Sequence, residues 1–229
     1  MQQAPLRDHR SLLADAERRL LVRLARSLPD WVNSDHLTAF GLASMLAAAI
    51  GFAAIRLTPW SAIAVVCSLA ANWFGDSLDG TLARVRSQQR PRYGFYIDHV
   101  IDIAGAAMLL VGIAASGAMH PVIALALLAA FLLVAAEAYL ATEALGVFHL
   151  SFAGFGPTEL RIVLALGALR LTGGIWVSLP WFGMTRLFDV GGVVSAAGLL
   201  VVFVVSAARH TRALYIAEPI PERPPLARA

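Results

Sequence analysis

Charge is scarce in this sequence. Only 14% of its 229 residues are Asp, Glu, Lys or Arg, against roughly a quarter in a soluble domain. Lysine is absent, so all 18 basic residues are arginine. Hydrophobic residues make up 59% and come in long runs rather than alternating with polar ones. This composition excludes a soluble globular domain and points to a polytopic membrane protein. Cysteine occurs once, as Cys67 inside an apolar run, so no intrachain disulfide can form. There is no His/Cys set with zinc-like spacing, no repeat of the whole chain and no second domain.

Spanning a bilayer as helix takes about 20 mostly apolar residues. Six stretches qualify, at 38–56, 60–79, 95–116, 120–142, 159–181 and 189–207. The expected fold is all-α: six transmembrane helices preceded by an N-terminal amphipathic interfacial helix. That first helix is read from 12–28, where Leu13, Leu20, Leu24 and Leu28 fall near one face, arginines take most of the other, and Pro29 ends the run. Asn33, Ser34, Asp35 and His36 are helix-start residues for the first span.

The expected domain organisation is a cytoplasmic segment at 1–37 with the interfacial helix, a six-helix membrane domain at 38–208 and a disordered tail at 209–229, where prolines gather after Glu218. With some 37 residues ahead of the first apolar run, a cleaved signal peptide is not expected.

Arginines gather before the first span, between the second and third (Arg84, Arg86, Arg90, Arg92) and after the last, while the other side holds little beyond Arg56 and Arg186. The positive-inside rule then places both termini and the loop after the second span in the cytoplasm. The expected location is a bacterial inner membrane. A net charge of +3 raises the question of nucleic acid, but arginines flanking spans read as topology signals and contacts with anionic lipid. No nucleic-acid partner is expected.

Against this background, Asp76, Asp79, Asp98 and Asp102 stand out. The first two are three apart and the last two four apart, so in helices each pair shares a face. Ionisable residues in membrane spans mark function by default. Oxygen-only ligands favour hard cations, Mg²⁺ or Mn²⁺. Gly80, Ala83 and Gly94 clear space beside them, and Arg84 offers donors suited to phosphate oxygens. Carboxylates, a hard cation, an arginine and a cleared groove together suit a diphosphate. The alternatives are a buried acid–arginine network that only clamps helices and, from another class, a divalent-cation transporter, which should hold its acids nearer the bilayer midplane.

The string D-x-x-D-G-x-x-A-R, nine residues, then G-x-x-x-D-x-x-x-D, filled by Asp76, Asp79, Gly80, Ala83, Arg84, Gly94, Asp98 and Asp102, resembles the signature of the CDP-alcohol phosphotransferase (CDP-alcohol phosphatidyltransferase) family. The resemblance implies that Asp76, Asp79, Asp98 and Asp102 surround two divalent ions, Mg²⁺ or Mn²⁺, gripping the CDP diphosphate. It implies that Asp76, Gly80, Ala83, Arg84 and Gly94 shape the nucleotide site, and that Asp102 takes the proton from the acceptor hydroxyl. CMP would be expelled and a phospholipid made. It further implies a homodimer with a CDP-activated donor and an alcohol acceptor as substrates.

For the acceptor, the candidate residues are Glu137, Glu159 and Arg161. Arg170 lies about 13 Å further along the helix than Arg161, too deep to share one phosphate with it. Glu137, Glu143 and Glu159 with Tyr139, Phe148 and Phe152 would suit an ammonium head, and His149–Glu159 is similar to a segment of choline/ethanolamine phosphotransferases. Small six-span members more often resemble enzymes that use CDP-diacylglycerol and a soluble alcohol. Both donor routes stay open at the level of sequence.

Overall fold

The computed structural model describes residues 14–145, 157–180 and 183–220. Leu13, Phe148, Phe152, most of the 149–159 resemblance and the end of the expected disordered tail lie outside these residues. The described chain is mostly helical. It runs α1 (Ala14–Ser27), α2 (Ser34–Ala53), α3 (Trp60–Val85), α4 (Pro91–Ala115), α5 (Pro121–Leu145), α6 (Pro157–Leu171), a hairpin of β1 (Trp176–Leu179) and β2 (Gly183–Arg186), and α7 (Asp189–Ala217).

Local chemistry sets the helix starts. Asn33 caps α2 through a reciprocal pair: its Oδ1 accepts the His36 N–H at 2.9 Å, and His36 Nδ1 accepts the Asn33 N–H at 3.3 Å. Proline opens α4, α5 and α6, where a missing N–H costs nothing. α2, α3, α4, α5 and α7 are each long and apolar enough to cross a membrane.

The expected span at 159–181 is not one helix. α6 has 15 residues, about 22 Å of rise against a hydrocarbon core of about 30 Å. Thr172, Gly173 and Gly174 close it by donating to the carbonyls of Leu169, Arg170 and Leu171, and Gly174 takes φ +111, a conformation that favours glycine. The hairpin follows, antiparallel, with Trp176 opposite Arg186 and Leu179 opposite Gly183. Ile175, Trp176 and Val177 are apolar, so a hydropathy window reads through the break. The Gly-Gly pair was the signal against it. At the hairpin's foot, Leu187 N–H bonds to Ile175 O and Phe188 N–H to Ala118 O, in the α4–α5 turn.

Two apolar clusters flank the acidic region. One joins α2, α3, α4 and α6 through Phe52, Val65, Leu69, Ile113, Leu164 and Ala168. The other seats α1 on α2 and α3 through Leu21, Ala25, Leu37, Leu78 and Leu82. α1 therefore packs through Leu21 and Ala25, with Leu24 and Leu28 of the expected stripe half-buried against the same cluster, and leaves Leu20 exposed beside Arg18, Arg19, Arg23 and Arg26. Arg86 fixes the α1–α2 link: its guanidinium donates to the carbonyls of Leu28, Pro29 and Val32 at 2.9, 3.0 and 2.5 Å.

Small residues let α2 approach its neighbours, the packing device that operates where lipid removes the hydrophobic drive between helices. A Cβ on Gly75 would lie 2.7 Å from Leu37 O, and one on Gly112 only 2.3 Å from Ala49 O. Backbone cannot yield as a flexible side chain can. Gly112→Ala should therefore lower stability by about 1–3 kcal/mol, whereas Gly198→Ala, facing open space, should leave it nearly unchanged. Thermal unfolding of the two variants in detergent checks the contrast.

Candidate active site

On α3, Asn72, Asp76 and Asp79 follow at intervals of four and three; on α4, Asp98, Asp102 and Gly105 do the same. Each set makes one stripe. α2 packs against both helices and brings the stripes to opposite sides of one cleft, lined also by Thr38, Gly41, Met45 and, from α6, Arg161. Gly105 permits the α2–α4 approach, since a Cβ there would sit 3.1 Å from Met45 Cγ. The cleft holds about 50 Å³, room for ions and water rather than a nucleotide.

The four carboxylates have different surroundings. Asp79 is buried. Its Oδ2 accepts from Thr38 Oγ1 at 2.6 Å and its Oδ1 from the Gly80 N–H at 2.5 Å. Ser34 Oγ donates to the Asp79 carbonyl at 3.0 Å, so the first turn of α2 clamps this residue twice. Asp76 is half-buried and accepts from Arg161 NH2 at 2.5 Å. Asp98 is half-buried and Asp102 exposed.

Arg161 does not stand alone. Its Nε donates to Asn72 Oδ1 at 2.8 Å, and Asn72 Nδ2 donates to Gly41 O at 2.9 Å. A relay thus runs from the α2 backbone through a buried asparagine to the arginine and on to Asp76. Thr38 and Asn72 were not among the residues singled out from sequence. A signal existed for Asn72: a polar side chain one turn before Asp76 in an apolar helix.

The remaining expected residues lie elsewhere. Gly80, Ala83, Arg84 and Gly94 do not line the cleft. Arg84 NH2 donates to Thr81 Oγ1 at 3.0 Å, its guanidinium lies over Gly80, and Gly94 faces open space. Of the three acceptor candidates only Arg161 reaches the cleft. Glu137 is paired with His210 of α7 at 2.5 Å, and Glu159 is half-buried in the first turn of α6. Tyr139 stacks edge-on against His99, centroids 5.0 Å apart, and lies near Phe95.

In donor chemistry the cleft fits a hard divalent cation: among the described residues, four carboxylates and no thiolate or imidazole line it. Among the described residues, no three His, Cys, Asp or Glu side chains are gathered into a ready-made ligand set. Asp76 faces Arg161 instead.

Residues 31–204 match the family model described as CDP-alcohol phosphatidyltransferase, a stretch of 174 of the 229 residues. No curated protein matches the chain.

Asn72→Ala should leave Gly41 O and Arg161 Nε without their partner and cost about 1–3 kcal/mol. A lowered unfolding temperature in detergent, measured against Gly198→Ala as the neutral control, checks this.

Proposed function

This chain belongs to the CDP-alcohol phosphatidyltransferase family, and on that premise we propose that its aspartate cleft is the catalytic centre, with Asp102 as general base. The family's members are transferases of phosphorus-containing groups, which move a phospho-alcohol from a CDP-alcohol donor to an alcohol acceptor in phospholipid synthesis. With five apolar helices of spanning length, the chain is an integral membrane protein. The transporter reading falls with the family assignment.

The observation that carries the proposal is the meeting of the α3 and α4 acidic stripes across α2 in one cleft. Asp76, Asp79 and Asp98, with Asp102 at the edge, would hold two divalent ions, Mg²⁺ or Mn²⁺. Bound there, such ions neutralise charge on a diphosphate and on the departing CMP. Thr38 and the Gly80 N–H orient the Asp79 carboxylate. A carboxylate oxygen of the exposed Asp102 accepts the proton of the acceptor hydroxyl. The hydroxyl oxygen then forms a bond to the β-phosphorus, and the bond from that phosphorus to the bridging oxygen breaks. CMP leaves with the electron pair. Both substrates meet in one step, so no covalent enzyme intermediate is required.

The cytidine binds over the rim rather than in the small cleft, with Gly80, Ala83 and Gly94 leaving room and Arg84 offering donors to phosphate oxygens. Glu137 is engaged by His210 and Glu159 stands outside the cleft, so two of the acids suited to an ammonium head are directed away from the aspartates, which weighs against CDP-choline or CDP-ethanolamine. We therefore take CDP-diacylglycerol with a small polar alcohol as the reading. α6 counts as a sixth, shortened crossing completed by the hairpin. Both termini and the cleft face the cytoplasm of a bacterial inner membrane, where the exposed arginines of α1 meet anionic lipid. The working unit in this reading is a homodimer, as the family resemblance implies.

CMP release by the purified protein with Mg²⁺ or Mn²⁺ tests the reading, with CDP-diacylglycerol and a panel of alcohols in one arm and CDP-choline or CDP-ethanolamine with diacylglycerol in the other. Cation-dependent CMP in the first arm is expected; CMP in the second alone would reverse the donor assignment. Asp102→Asn should cut turnover by about 10²–10⁴-fold while keeping the fold and CDP binding, and undiminished turnover would sink its role as base. Asp79→Asn should instead weaken cation-dependent nucleotide binding.

A further inference from the structure

We propose that Arg161 is the stand-in cation of the aspartate cleft: its guanidinium holds Asp76 while no divalent ion is bound, and yields Asp76 when one enters. This rests on the reading of the aspartates as cation ligands.

Two observations carry it. First, among the described residues Arg161 is the one cationic side chain lining the cleft, and its NH2 meets Asp76 at 2.5 Å. A cluster of carboxylates in a membrane protein is costly without a positive partner, and an arginine supplies one at any physiological pH because it stays protonated. Second, the arginine is aimed rather than mobile. Its Nε is bonded to the buried Asn72, itself tied to Gly41 O, and its side chain is only 14% exposed.

The placement of Arg161 makes the exchange feasible. It comes from α6, whereas the carboxylates come from α3 and α4, so the guanidinium can leave Asp76 without moving either acidic helix. The Nε bond to Asn72 keeps it beside the cleft after it leaves. Arg161 is thus a positioning residue that competes with the cation, and its removal should tighten cation binding. A residue that merely braced Asp76 as a ligand would do the opposite.

The test uses the full chain in detergent, stripped of divalent ions and titrated with Mn²⁺, with free Mn²⁺ read by electron paramagnetic resonance. Arg161→Gln should bind Mn²⁺ about tenfold more tightly than the unaltered protein, the effect of removing one charge-assisted hydrogen bond. Without metal it should unfold at a lower temperature than the unaltered protein, and saturating Mn²⁺ should narrow that gap. Arg161→Lys keeps the charge without the two-armed grip and should also bind Mn²⁺ more tightly, which decides the matter even where the glutamine variant does not fold. Equal or weaker Mn²⁺ binding in these variants overturns the inference. If Asp79→Asn still abolishes Mn²⁺ binding in that case, the catalytic reading stands without it. An unaltered protein that binds no Mn²⁺ overturns both.

Discussion

Gathering like charges in a poorly polarisable setting is the constraint on which the rest of this structure depends. Two carboxylates 4 Å apart repel by about 4 kcal/mol at an effective dielectric of 20, and four of them line a single cleft in a protein made mostly of apolar helix. Each relief the structure offers is local and directed. Asp79, the most buried, takes a hydroxyl and a backbone N–H. Asp76 takes a guanidinium. Asp102 stays at the exposed edge of the cleft.

These reliefs work only because α2 stands between the two acidic helices. Its first turn supplies Ser34 and Thr38 to Asp79, and the Gly41 carbonyl anchors Asn72, hence Arg161. Such reach demands close helix crossings, and the glycines at 75, 105 and 112 provide them. The same segment connects the cleft to α1. α1 rests on Leu78 and Leu82, within a turn of Asp79, and Arg86 grips the carbonyls that lead from α1 into α2. The arginine-bearing α1 and the aspartate-bearing α3 are therefore one packed unit.

Much of this was legible in the residues. Long apolar runs announced membrane helices because a bilayer forces backbone hydrogen bonds into the helix itself, and five of the runs form helices of spanning length. The acidic stripes followed from helical periodicity, which depends on nothing beyond the local chain. The failures came where distant contacts decide. The run at 159–181 contains a helix, a break and a hairpin that a hydropathy sum cannot separate. Glu137 looked available for a substrate until α7 was seen to bring His210 against it. Leu20 belonged to an apolar stripe whose Leu24 and Leu28 do pack, yet it stays exposed while Leu21 and Ala25 fill the contact with α2 and α3.

The sequence by itself determined that this is a helical membrane protein, which residues are acidic on which helix faces, and, through the aspartate signature, the class of chemistry, because composition, periodicity and spacing are properties of the local chain. Only the tertiary structure decided that Thr38 and Asn72 belong to the site, that Arg161 serves Asp76 and that Glu137 and Glu159 stand outside the cleft. Partners 41, 85 and 89 positions apart meet there, and no local pattern encodes which side chain will face which across a helix crossing.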